Sequence, residues 1–234
     1  MTSTVLNSSP RDISDLDGSL PAQGPYRALP ATADTFARES HIDELAYVAG
    51  VDPVDFRLGL LDDARLAAVT EAAARRFGWR FFPCPAGRPA LWAKGWLRCG
   101  AGIAAGLEQG RRVATCAEVR PDGAGQFRVT RIVTAYECGA VADRAAVISQ
   151  IQDATVMALG GALSGPGASD CGSIGAPSLS GYDVQSATNP LEVDVVLLDR
   201  PDLPSAGVGG TPLIAVAPAI ANAIFAVTGR RCVR

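Results

Sequence analysis

Apolar residues recur every three or four positions from Thr32 to Gly50, at Phe36, Ile42, Leu45, Ala46 and Ala49. That spacing predicts an amphipathic helix stopped by Gly50. Asp52-Pro53 predicts the start of a second helix, because aspartate accepts from free N–H groups of the first turn and proline has none to waste there. A third helix is expected from Asp62 or Asp63 to Phe77, with Leu66, Val69 and Ala73 on one face and Gly78 as its stop. Residues 79–100 read as loop. The period then changes. Val113–Val119 and Gln126–Tyr136 alternate apolar with polar residues around Pro121-Asp122-Gly123, a hairpin pattern. Ala145–Leu163 returns to helical spacing, Gly165–Ser180 reads as loop, and Leu191–Leu198 reads as a strand. A glycine-rich loop, Ser205–Gly210, leads into a final helix over Ala217–Val227, closed by Gly229. The expected class is α+β, without the β-α-β alternation of doubly wound folds.

Composition narrows the function classes. The chain has 234 residues, 48% of them hydrophobic and 19% charged, with 25 glycines and 16 prolines. It reads as globular and loop-rich. A formal net charge of −3 argues against nucleic acid as a partner. Residues 1–24 read as a flexible leader without the pattern of a secretory signal. Leu213–Val227 contains Pro218 and Asn222 and is short for a membrane span. Six cysteines without a C-x-x-C pair, and a single histidine, His41, argue against a zinc site. Reduced thiols in a cytoplasmic protein follow.

The glycine loop excludes several chemistries. Gly207-Val208-Gly209-Gly210 is followed by Pro212, so the third glycine of a dinucleotide fingerprint is out of register. A Walker loop would need a lysine. A serine or cysteine hydrolase would need a histidine base and an elbow that the sequence lacks. His41 reads as a surface or half-buried helix residue. Asp43-Glu44 and Asp62-Asp63 read as solvated faces or helix caps.

Five stretches in order carry a resemblance. Gly24–Leu58 matches a pattern F-A-x-E-x-x-x-D-E-L-A followed by G-x-D-P-x-x-F-R. Arg111–Arg120 is similar to a strand Y-V-A-x-x-A-E-V, and Val133–Val141 to a turn V-T-A-x-x-C-G. Leu159–Leu163 and Ala217–Arg231 complete the set. Together they resemble the C-terminal part of the molybdopterin-binding subunit of the xanthine dehydrogenase and aldehyde oxidase family. The bacterial isoquinoline and nicotinate dehydrogenase type is most similar.

The resemblance implies an incomplete α+β molybdenum-cofactor-binding domain. Its helical part would be residues 25–80, followed by a linker at 81–100 and an α+β part at 101–234. It implies molybdenum held by molybdopterin, as the cytosine dinucleotide in most bacterial members, and hydroxylation of an N-heterocycle or aldehyde with oxygen from water. It also implies partners: the N-terminal half of the subunit or a separate chain carrying it, and an iron–sulfur subunit with [2Fe–2S]. FAD or a cytochrome would lie on further partners. A cytoplasmic location is expected, with the periplasm reached only as part of an exported complex.

By the same resemblance, Arg27 and Gln150 would contact the cofactor, Ala28 and Leu29 would line the substrate pocket, and Gly207, Val208 and Gly209 would lie beside the metal without ligating it. Cys138 would be a buried structural thiol. The sequence departs at one telling place. The family loop reads G-x-G-E, with the glutamate as general base, and Gly210 occupies that position here. The nearest upstream acid is Asp202. Asp143-Arg144 and Asp153 are further departures. A truncated or degenerate non-catalytic relative is therefore the alternative.

Overall fold

The computed structural model describes residues 31–80, 99–121, 127–164 and 191–231. The expected leader, the loop at 165–180 and most of the hairpin turn at 121–123 lie outside them. Three helices come first: α1 (Ala31–Ala49), α2 (Pro53–Leu60) and α3 (Ala64–Phe77). Their starts follow the capping residues. Asp52 accepts from Val54 N at 2.7 Å, and Asp63 accepts from Arg65 N and Leu66 N at 2.9 and 3.2 Å. Gly78 ends α3 in the left-handed conformation at φ +72°.

The strands β1 (Gly100–Glu108), β2 (Arg111–Pro121) and β3 (Phe127–Glu137) form an antiparallel meander. Helix α4 (Arg144–Ser164) then crosses over to β4 (Glu192–Leu198), which pairs parallel to β3. The strand order is β1-β2-β3-β4. A 3-10 turn (Thr211–Ala215) runs directly into α5 (Val216–Thr228), and Gly229 caps it at φ +66°.

Two expectations change. Gly100, expected as the last loop residue, opens strand β1, which continues through residues 101–108, to which the sequence pattern assigned no element. And although the class is α+β, β3-α4-β4 is one β-α-β unit, because a parallel neighbour requires a crossover.

The reason β1 is hard to read lies in how it is buried. The sheet is covered on both faces, so its strands need no alternation of polar and apolar residues. Val54, Leu66, Val69 and Ala73 pack with Ile103, Ala105, Ala114, Cys116 and Ala135 on one face. On the other, Ala104, Val113, Ala117, Ile132 and Tyr136 pack with Ile151, Ile214, Ala219 and Ala223. The α5-facing positions of β1 are almost without side chains. A Cβ at Gly100 would lie 2.1 Å from Ala223 O, and one at Gly102 would lie 2.2 Å from Ala223 N. Glycine there lets helix backbone touch strand backbone. Thr211–Thr228 is apolar and long enough to cross a membrane by composition, yet most of it is buried against this sheet. That is how a core helix reads.

The outer edge of β1 is sealed by side chains. Ala105 N donates to Glu39 Oε2 at 3.0 Å, and Asn222 Nδ2 donates to Ile103 O at 2.9 Å. Glu39 in turn accepts from Arg57 Nε at 2.9 Å. Arg57, 2% exposed, also reaches Asp43 Oδ1 at 3.3 Å and Pro53 O at 2.9 Å. From the far end of the chain, Arg231 donates to Asn222 Oδ1, Glu44, Ser40 O and Asp43, and stacks on Phe225 with its Cζ 4.0 Å from the ring centre. Asp43 is thus buried, not a solvated helix residue. Burial pushes its carboxyl up, against the pull of Arg57 and Arg231. Glu44 is half-buried, Asp63 is a cap and Asp62 is exposed, so those three match expectation. His41 is exposed on α1.

Candidate functional site

The loop between β4 and the 3-10 turn, residues 199–210, is strapped to the end of β3. Arg200 N donates to Gly139 O at 3.2 Å, Ala140 N to Leu203 O at 3.1 Å, and Ala206 N to Cys138 O at 2.8 Å. Gly139 is required there twice over. Its φ is +81°, and a Cβ would lie 2.1 Å from Pro204 O. Glu137, almost fully buried, supports the turn. It accepts both arms of Arg65 at 2.6 Å and the Gly139 N–H at 2.8 Å. Burial would raise its carboxyl, but the hydrogen bonds from Arg65 and Gly139 outweigh it and hold the group below the usual range. Cys138 is a buried free thiol, pushed up by burial.

The glycine stretch has a consistent orientation. Arg111 Nε donates to Ala206 O at 2.9 Å and to Gly207 O at 3.0 Å, and its Nη2 donates to Ala206 O at 2.6 Å. Tyr136 Oη donates to Val208 O. Three successive carbonyls therefore face the sheet. The Val208 side chain is buried with them. Gly209, at φ +57°, lies against the guanidinium, where a Cβ would be 2.9 Å from Arg111 Cζ. Gly207, at φ +67°, would place a Cβ in open space. Gly210 has φ −94° and ψ 0° and begins the 3-10 turn, its carbonyl accepting from Leu213 N at 3.0 Å.

Of the residues singled out in the sequence, Gly207, Val208, Gly209 and Gly210 are brought together in this loop. Gln150 is exposed on α4, the helix whose buried side carries Ile151, Thr155 and Leu159. Among the described residues no hydrogen bond joins Gln150 to the loop. Arg27, Ala28 and Leu29 lie outside the described residues. Asp202, the nearest acid along the chain, is taken up by Arg200, which donates to both its oxygens at 2.9 and 2.6 Å. That fork holds its carboxyl down to about 2, too weak a base for proton abstraction near neutral pH.

Sequence reasoning missed Arg111, Tyr136 and Glu108. The last accepts from Thr211 Oγ1 at 3.3 Å, which places a carboxylate next to Gly210 in space although it is remote in sequence. A signal for this corner existed. Gln109-Gly110 is a two-residue hairpin turn with both φ values positive, +49° and +80°, and it aligns Glu108 with Arg111 across the ladder.

The backbone here fits a bulky group approached from outside. Gly207 leaves its outer side open, and among the described residues none of the N–H groups of residues 207–210 meets an acceptor. The loop forms one side of such a site and does not enclose it.

Comparison with known proteins agrees with this reading of the fold. The sequence profile of the molybdopterin cofactor-binding domain matches residues 56–189. The chain is 32% identical over 215 residues to a component of the nicotinate dehydrogenase of Pseudomonas putida, covering 88% of this chain and 18% of that one. It is 28% identical over 201 residues to the beta component of the isoquinoline 1-oxidoreductase of Brevundimonas diminuta, covering 83% and 24%. In fold it superposes on the aldehyde oxidoreductase of Desulfovibrio gigas with a TM-score of 0.66 at 15% identity, over 88% of this chain and 40% of that one. It spans a quarter or less of the two sequence relatives. The chain belongs to the molybdopterin cofactor-binding domain family.

Proposed function

We propose that the chain supplies one wall of the cofactor site in a molybdenum hydroxylase that oxidises an N-heterocycle or an aldehyde. The observation that carries this reading is the glycine loop, with its carbonyls drawn inward and its outer side open, within a molybdopterin-binding fold. When bound, a molybdopterin group, here the cytosine dinucleotide, supplies the two-electron redox chemistry that amino-acid side chains lack. This chain's residues orient it. The loop offers backbone N–H groups; by the family resemblance, Gln150 would contact the pterin, Arg27 would lie next to the cofactor, and Ala28 and Leu29 would border the substrate. The remaining walls come from a partner segment or chain, and the electrons leave through [2Fe–2S] and FAD or cytochrome subunits. The support is the relatives' names, both of components of oxidoreductases.

A second reading is favoured by Gly210. With no acid at that position and Asp202 spent on Arg200, the glycine stretch 205–210 carries no carboxylate of its own to accept a proton. The chain would then be a non-catalytic relative.

One experiment separates the two. The chain is purified with its co-purifying subunits from molybdate-fed cells. Molybdenum per chain is measured by mass spectrometry, and dye reduction with a heterocycle and with an aldehyde. Stoichiometric molybdenum with turnover supports the first reading, and molybdenum-free protein refutes it. Gly210→Glu in molybdenum-loaded protein is expected to raise turnover by about 10²–10⁴-fold, the usual worth of general-base assistance. No gain would show that position 210 does not face the reacting group.

A further inference from the structure

We propose that Arg111 is the positioning residue of the glycine loop, with Tyr136 as its helper, and that it sets the direction in which the loop's N–H groups point. The argument starts from the peptide unit. In a planar trans peptide, the carbonyl of one residue and the N–H of the next point in opposite directions. Arg111 and Tyr136 draw the carbonyls of Ala206, Gly207 and Val208 toward the sheet. The N–H groups of Gly207, Val208 and Gly209 are therefore turned away from it.

The side chain is built to hold that arrangement. Two successive carbonyls converge on one edge of the guanidinium, whose rigid planar fork fixes both directions at once, where the rotating donors of an ammonium would not. The other edge is fixed by Gln109, whose Oε1 accepts from Arg111 Nη1 at 2.9 Å. Gln109 itself sits at φ +49° in the two-residue turn, so the hairpin aims the arginine. Gly209 completes the fit, because its missing Cβ is what lets the loop lie on the guanidinium. Arg111 thus acts behind the loop and reaches the ligand side only through backbone.

This assignment rests on the reading of the loop as facing the cofactor. Its test uses the chain with its co-purifying subunits, as wild type, R111M, R111K and Y136F. Three quantities are measured: molybdenum per folded chain, amide exchange of the segment 203–209, and the thermal midpoint. In R111M, molybdenum per folded chain is expected to fall by about 10–100-fold, the usual effect of losing a group that orients a binding residue. Exchange at Ala206, whose N–H is held by Cys138 O, should rise with it. R111K should recover part of both, since lysine keeps the charge and the donors but not the rigid fork that fixes their directions. Y136F should show a smaller loss in the same direction. The proposal is overturned if loop exchange in R111M matches wild type. It is also overturned if R111M lowers the thermal midpoint while molybdenum per folded chain holds, which is what a merely structural role predicts. Should wild type carry no molybdenum, the cofactor reading falls by itself. Loop exchange in R111M then decides alone whether Arg111 sets the loop.

Discussion

Position 210 has φ −94° and ψ 0°, backbone that any L-residue adopts, whereas Gly207 and Gly209 sit at +67° and +57°. The first two of the three glycines are there for conformation and the last is not. The backbone at 210 therefore does not itself oppose a glutamate, whereas a side chain at 207 or 209 would be strained. The contrast with Glu137 is instructive. That carboxylate is buried on Arg65 and on the Gly139 N–H, and its folded pKa lies below the unfolded one. A depressed carboxylate adds stability above its unfolded pKa and loses it as pH falls through the folded value. Glu137→Gln should then be weaker than wild type by about 1–3 kcal/mol at pH 7, the cost of stripping a charged partner from a buried hydrogen-bond set. The gap should close as pH drops below about 4, the ordinary glutamate range. A gap that persists unchanged at acid pH would assign the loss to packing instead.

At the scale of elements, the contact between β1 and α5 decides how close helix and sheet can approach. Gly102→Ala would drive a Cβ to 2.2 Å from Ala223 N and 2.3 Å from Ala219 O, both backbone atoms that cannot rotate aside. A loss of about 1–3 kcal/mol or more is expected, as for overpacked cores. Gly59→Ala is the control. It lies in helix α2 with nothing within 4 Å of the added Cβ, so it should gain about 0.5–1 kcal/mol from helix propensity. The same contact explains what the sequence did and did not disclose. Helices α2, α3 and α5 were legible because Asp52, Asp63, Gly78 and Gly229 punctuate a 3.6-residue period, whereas α1 was legible as a helix stopped at Gly50 but buries Thr35, Glu39, Asp43 and Ala46, not the expected apolar face with Leu45 and Ala49, which are exposed. Strand β1 was not, because GAGIAAGLE is buried on both faces and carries its packing as absent side chains. The strand β4 was legible, but its parallel pairing with β3 was not, since periodicity gives a strand without naming its neighbour. The loop's glycines were legible as a site. Arg111 and Tyr136 were not, because they approach it from β2 and β3 across 95 and 72 residues of chain.

Across the whole molecule, the stretches that carry the family resemblance turn out to hold the scaffold. Glu39 and Asp43 from α1, Arg57 from α2, and Asn222 and Arg231 at and beyond α5 meet at the outer edge of β1. Asp43 looked solvated beside Glu44 because its cations come from 14 and 188 residues away. The cluster is charge-balanced, with two buried carboxylates facing two guanidinium groups. Attraction between such charges roughly offsets the cost of removing them from water, so the cluster as a unit need add little stability. Breaking it is another matter. Arg57→Met would leave Glu39 with the Ala105 N–H and a long contact from the half-exposed Arg38, and Asp43 with Arg231 alone, both still buried. A loss of about 3–5 kcal/mol is expected, the usual cost of leaving a buried charge uncompensated. Adding Glu39→Gln to Arg57→Met removes the stranded charge while keeping an acceptor for Ala105 N. The double variant should therefore recover part of that loss in denaturant unfolding. If the double variant is as weak as the sum of the two single ones, the charges do not act on each other, and the edge of β1 is held by packing alone.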